Sequence, residues 1–275
     1  MKVLKFGGGC LKDAGAIKKI PSILKQYDEN IIIVISAFGK LTNLLEEISS
    51  KKPIDFNQAK ILFKQIMCDL SFNKEDITNI LHDVQPRDAS LAAILSVGEL
   101  VSSKILSQYL QNYSMQHVLI NAIDVIKTSN KGINAIVNWE ETKHASEIIE
   151  TQMDPDDKNI ILTQGFISSY SQDGEHSITC LGREGSDYSA AIFGSIFNAD
   201  EVILFKDVDG IYSTDPKINN QAKLFSELSY NHAFELFKNG NTVIHSKTIA
   251  PLKEKSIPII IKNFHNIALP GTVIS

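Results

Sequence analysis

Leu181-Gly182-Arg183-Glu184-Gly185-Ser186-Asp187-Tyr188-Ser189-Ala190-Ala191 is the stretch on which the fold turns. Two glycines bracket a charged pair, and Gly185-Ser186-Asp187 then opens an apolar segment that reads as a helix over 185–197. Val202-Ile203-Leu204-Phe205 follows as a short strand and runs straight into Asp207-Val208-Asp209-Gly210. Polar turn, helix, buried strand and a second polar turn, in immediate succession, is the rhythm of an α/β sheet.

Upstream the rhythm repeats. Residues 3–6 read as a strand ended by Gly7-Gly8-Gly9, and 13–26 as helical, with Pro21 kinking or splitting it. The β-branched run 31–35 predicts a strand covered on both faces. A helix over 42–48 comes after Ser36-Ala37-Phe38-Gly39, and 55–110 is helical with breaks near Asn73 and Pro86. Strands are expected over 118–120, 122–126 and 159–163, a helix over 139–150, and a hairpin over 166–181 turning at Asp173-Gly174. Downstream, Ser229 caps a helix to Phe237. A short strand over 243–244, a helix over 246–254 and a last strand over 257–261 complete the reading. No repeat, low-complexity tract or linker interrupts the chain. One body is expected, with an N-terminal lobe over 1–181 and a C-terminal lobe over 182–275.

Bulk properties bound the function. The 275 residues are 43% hydrophobic and 21% charged, as in an ordinary globular domain. A net charge of −5 argues against general affinity for nucleic acid or anionic membranes, but not against a local phosphate pocket. Cys10, Cys68 and Cys180 are odd in number and far apart, so neither a disulfide framework nor a zinc site is read, and no protein metal ligand is assigned. The N-terminus has no long apolar segment behind it, which with the free cysteines reads as a cytoplasmic protein.

Three clusters carry chemistry. Lys5 followed by Gly7, Gly8 and Gly9 places a point charge beside backbone N–H groups open to an anion. The order is not that of a Walker A loop, and alone it serves equally well as a tight strand-to-helix turn. The Gly182–Asp187 loop gathers N–H groups, an arginine fork and a carboxylate at a helix start, which favours an anion-binding or catalytic loop. Asp207-Val208-Asp209-Gly210 sits where carboxylates end a strand of an α/β enzyme, though Asp-Gly is also a common turn. Glu99, in an otherwise apolar helical stretch, reads locally as a solvated residue or as a buried functional one. Of 27 basic residues only Arg87 and Arg183 are arginine.

Taken in order, these segments resemble the catalytic domain of aspartate kinase, within the amino-acid kinase family. The matching stretches include Lys5-Phe6-Gly7-Gly8, Ser36 to Asn43, Leu95 to Glu99, Thr163 to Ile167, Leu181 to Ala191, Asp207 to Pro216, Thr248 to Leu252 and Pro270-Gly271-Thr272. The resemblance implies a three-layer αβα sandwich with a mainly parallel central sheet. It implies phosphorylation of the L-aspartate side chain by ATP with Mg²⁺. It makes Lys5 and Asp187 catalytic and assigns the substrate to Ser36, Thr42, Glu99, Phe166, Arg183 and Ser186. Glu99 would hold the ammonium and Arg183 a carboxylate. ATP would fall to Lys5, Gly7, Gly8, Gly9, Lys206, Asp207, Asp209, Gly210, Tyr212 and Asp215. A homodimer is expected by the same resemblance. No ACT module is read after Thr272, so any feedback control would come from a separate regulatory subunit. The chain departs from the family pattern at Gly9, Cys10, Glu184, Lys206 and Thr242, where Lys206 would replace a positive charge missing at Thr242. Another amino acid or small carboxylate as substrate, or a non-catalytic ligand-binding homologue, are the alternative readings; Lys5, Glu99, Arg183 and Asp187 favour an active kinase.

Overall fold

The computed structural model describes residues 1–151, 153, 158–172 and 174–275. Its first half contains β1 (Lys2–Phe6), α1 (Ala14–Ile17), α2 (Ile20–Leu24), β2 (Ile31–Ile35), α3 (Leu41–Ser50), α4 (Asn57–Asp69), α5 (Lys74–His82) and α6 (Leu91–Asn112). The middle contributes β3 (Val118–Leu119), α7 (Ala122–Val125), β4 (Lys127–Thr128), α8 (Trp139–Glu150), β5 (Ile160–Gln164), β6 (Ile167–Gln172) and β7 (Glu175–Cys180). The rest is α9 (Gly185–Ile196), β8 (Glu201–Lys206), β9 (Glu227–Leu228), α10 (Tyr230–Lys238), α11 (Ser246–Glu254), β10 (Ile259–Asn263) and β11 (Thr272–Ile274).

Among the described residues, eight strands form one sheet in the order β3-β5-β2-β1-β8-β10-β11-β9, with β4, β6 and β7 in a smaller one. Every pair in the large sheet is parallel except β10 with β11. Strand alternation divides two cores. Leu4, Phe6, Ile33, Ile35 and Phe205 pack on one side with residues of α1–α6, while Val3, Val34, Val202 and Leu204 pack on the other with α9 and α11. Helices on both faces explain why β1, β2 and β8 are nearly continuous apolar runs. Lys5 interrupts β1 on the Val3 face, so its side chain meets α9 rather than α3 or α6.

Because β1, β2, β5 and β8 run parallel, their carboxyl ends lie at one edge of the sheet. The loops beginning at Gly7, Ser36, Gly165 and Asp207 therefore converge, as open α/β sheets bring ligand loops together.

Several expectations are corrected. Residues 122–126 are not a strand: 122–125 form α7, whose Ala122 N–H donates to the buried Gln164 Oε1 at 2.8 Å. A short apolar run cannot be told from a buried helical turn by periodicity. Residues 243–244 are not a strand either; Val243 N–H closes a turn onto Asn241 Oδ1, leading into α11. The strand over 257–261 is not the last, since β11 pairs with it antiparallel. The 13–26 segment splits after Ile17, and Pro21 sits in the first turn of α2, where its missing N–H is harmless. β6 and β7 pair from Ile167↔Cys180 to Gln172↔Glu175, as a hairpin requires; Asp173 of the expected turn lies outside the described residues. α6 is long and apolar enough to cross a membrane by composition, but here it is a largely buried core helix.

Candidate active site

A cavity of about 630 Å³ opens at the converging strand ends. It is lined by thirteen of the residues given roles in catalysis or binding from sequence: Lys5, Gly7, Gly8, Gly9, Ser36, Thr42, Glu99, Phe166, Arg183, Ser186, Asp187, Lys206 and Asp207. The cavity does not take in Asp209, Gly210, Tyr212 or Asp215. Asp209 accepts hydrogen bonds from Asn263 Nδ2 and Tyr212 Oη instead, and Asp215 closes an exposed turn through Lys217 N–H. Gly210 packs against Thr272, where a Cβ would lie 2.4 Å from the hydroxyl.

Asp187 is the electrostatic centre. It is fully buried in the first turn of α9, with Lys5 Nζ 2.5 Å from Oδ1 and Lys206 Nζ 2.6 Å from Oδ2. Burial pushes its carboxyl up, but Lys206 and Lys5 outweigh that and hold Asp187 well below the usual carboxylate range. Burial alone would depress Lys206; Asp187, and then Glu184, reverse the sign and raise it. Lys206 is thus held as a cation, and both lysines meet Asp187 from the ends of neighbouring strands. Lys5 Nζ lies over Gly7, where a Cβ would approach it to 3.1 Å. Gly8 is needed for a different reason. A Cβ there would meet the carbonyls of Ala37 at 2.7 Å and Gly39 at 2.9 Å, so the two loops touch backbone to backbone.

Glu99 answers the question its local sequence left open. It is 2% exposed, facing the cavity from α6. Gly98 lets that helix close on the β2 loop, since a Cβ would sit 2.9 Å from Ala37 Cβ. Ala37 N–H then donates to Glu99 Oε1 at 3.3 Å, while Oε2 is buried with no hydrogen-bond partner among the described residues. Desolvation dominates, and the carboxyl is pushed up to about 8. Arg183 is exposed at the other side of the cavity and forms no ion pair among the described residues. Glu184, at the N-cap of α9, has left-handed backbone angles (φ 54°, ψ 26°) and leaves the helix start without a side-chain cap. Its Oε2 lies 3.7 Å from Lys206 Nζ.

Asn43, Glu46 and Asn134 also line the cavity without having been given roles from sequence. Asn43 and Glu46 follow Thr42 at one and four positions on α3, so helix periodicity flags Glu46 as its neighbour. Asn134 comes from the irregular segment before α8 and carried no signal. Among the described residues no group of three or more His, Cys, Asp or Glu could hold a metal ion. Mg²⁺ commonly uses one or two carboxylates plus substrate phosphates, a pattern the exposed Asp207 fits beside Gly9.

Residues 1–263 match the sequence profile of the amino acid kinase family. A bifunctional aspartokinase/homoserine dehydrogenase of Buchnera aphidicola subsp. Acyrthosiphon pisum is 31% identical over 304 residues, covering 100% of this chain and 36% of that protein. The structure of E. coli aspartokinase III in complex with aspartate and ADP superposes with a TM-score of 0.88 at 25% identity, covering 100% of this chain and 64% of that one. Clostridium acetobutylicum aspartate kinase gives a TM-score of 0.81 at 27% identity, covering 100% and 62%. The chain thus spans about a third of the bifunctional relative's length and under two thirds of the two solved chains.

Proposed function

Since the chain belongs to the amino acid kinase family, we propose that it transfers the γ-phosphoryl group of ATP to the side-chain carboxylate of L-aspartate, giving ADP and 4-phospho-L-aspartate. The observation that carries this reading is one cavity holding two lysines on Asp187 together with a buried carboxylate oxygen of Glu99 and an Arg183 guanidinium that are both without a partner among the described residues. Aspartate offers one ammonium and two carboxylates. Glu99 Oε2 takes the ammonium, Arg183 forks onto a carboxylate, and the other carboxylate is left facing the glycines of the β1 loop. The aspartokinase III complex, which contains aspartate and ADP, supports the same pairing of ligands.

The chemistry asks for little covalent help. A carboxylate nucleophile is ionised at neutral pH, so no strong base is required. Phosphoryl transfer needs alignment and neutralisation of charge on the transferring oxygens. Lys5 supplies that charge, and Asp187 fixes its direction. Gly7, Gly8 and Gly9 line the same cavity and add no side chains of their own. Magnesium, bound with the nucleotide, would add further neutralisation and be held from the protein side by Asp207. The adenosine end of ATP extends beyond the cavity toward the segment from Asp209 to Asp215, while Lys5 and the Gly7–Gly9 turn of the N-terminal part and Lys206 and Asp207 of the C-terminal part meet its phosphates.

The test is ADP release from Mg-ATP across a panel of amino acids and small carboxylates. Turnover dependent on aspartate is the expected result. Turnover with a different acceptor alone would reassign the substrate, and nucleotide binding without turnover on any acceptor would remove the catalytic reading.

A further inference from the structure

Lys206 has an interaction that phosphate-binding by Lys5 does not explain. Its ammonium is held by Asp187 at 2.6 Å and approached by Glu184 at 3.7 Å, beyond direct hydrogen-bond distance. The lysine side chain is 14% exposed and the glutamate side chain 36%, so this second contact is loose and half in water. An ammonium has three donors; Asp187 uses one, and the Lys206 side chain borders the cavity. Two lysines over Asp187 leave one net positive charge, which the Glu184 carboxylate cancels.

Glu184 is also placed there at a conformational cost. Its left-handed backbone is one that glycine adopts freely and a residue with a Cβ does not. The side chain does not repay that cost by capping α9, for it accepts no hydrogen bond from the helix start. The contact it does make is with Lys206. We propose that Glu184 is an internal anion on Lys206 which the phosphate chain of the nucleotide displaces, making Lys206 a second phosphate-binding lysine beside Lys5. The pair sets nucleotide affinity: Glu184 lowers it and Lys206 supplies it. This rests on the reading of the cavity as a nucleotide-phosphate site.

The competing account makes Lys206 a fixed counter-ion of Asp187 and Glu184 a diffuse surface charge. Calorimetric titration of a non-hydrolysable ATP analogue with Mg²⁺ separates them, using the parent, Glu184→Gln, Lys206→Met and the double variant. Glu184→Gln should tighten binding about two- to five-fold, the scale of an ion pair with one half-exposed partner. Lys206→Met should weaken it about ten-fold or more, the loss of a hydrogen bond from a charged donor. In the Lys206→Met background, Glu184→Gln should change nothing, because the anion then has no lysine to release. If Lys206→Met does not fold, Lys206→Gln, which keeps a donor toward Asp187, takes its place in the cycle. Unchanged affinity in Glu184→Gln, or equal tightening in both backgrounds, overturns the displaceable pair while leaving the nucleotide site standing. No analogue binding by the parent overturns both.

Discussion

Burial of Glu99 has a kinetic consequence that can be worked out from its environment. The carboxyl receives one amide hydrogen bond, from Ala37, and is otherwise desolvated, which pushes it up to about 8. A substrate ammonium against Oε2 requires the ionised form. If only that form binds aspartate, the apparent affinity is reduced by the ionised fraction, about one in ten near pH 7 and about one in a hundred near pH 6. The KM for aspartate should therefore fall about ten-fold per pH unit from about pH 6 to about pH 7.5 and level off above about pH 8.5. Initial rates at saturating ATP, in mixed buffers of constant ionic strength, read this directly. Glu99→Gln should raise KM at high pH, flatten the profile and leave ATP-analogue binding intact. The folding equilibrium gives an independent check of sign. Between the unfolded carboxyl value near 4.5 and about 8, the folded state holds a proton that the unfolded state has lost. Stability from this group is thus full below that window, falls by up to about 1.4 kcal/mol per pH unit within it, and is constant above. The Gln variant should lose this slope. A parent KM that is constant across the neutral range, or the same slope in Glu99→Gln, would exclude Glu99 as the group that binds the ammonium.

Three further outcomes follow from the same geometry. Asp187→Asn removes the buried carboxylate that Lys5 and Lys206 share and should cost about 3–5 kcal/mol, read as a lower denaturation midpoint with an unchanged denaturant slope. Gly8→Ala puts a Cβ 2.7 Å from a backbone carbonyl that cannot rotate away, so the β1 and β2 loops must part; loss of analogue binding with a nearly native circular-dichroism spectrum is expected. Arg183→Lys replaces a planar fork with a point charge and should lower kcat/KM for aspartate about 30- to 150-fold through KM, with analogue affinity unchanged. A weakened analogue and an unchanged aspartate KM would move Arg183 to the nucleotide side.

How much of this was legible in the sequence follows from the range of the forces involved. Long apolar runs such as 31–35, and helices such as Trp139–Glu150, declare themselves because local periodicity and burial agree. The short strands β4, β9 and β11 span two or three residues and exist through partners distant in the chain, so no period could reveal them. The same holds at the site. Gly7, Gly8 and the Gly182–Asp187 loop are visible because glycine and polar clusters have local meaning. That Glu99 is buried depends on Gly98 admitting α3 and the β2 loop, contacts made across some sixty residues of chain. That Lys206 shares Asp187 with Lys5 depends on strand order, which places β8 beside β1. Asn134 was illegible for the same reason: an irregular segment delivers it to the cavity, where a Cβ on Gly182 would overlap its side chain.

If the γ-phosphoryl group reaches a carboxylate of aspartate in this cavity, the product is an acyl phosphate, which can be trapped. Incubating the protein with Mg-ATP, aspartate and hydroxylamine, and identifying the product by mass spectrometry, tests it most directly. The side-chain hydroxamate of aspartate is expected in amounts equal to the ADP released, abolished in Lys5→Met and strongly reduced in Arg183→Lys. ADP release without hydroxamate, or hydroxamate formation that survives Lys5→Met, would contradict it.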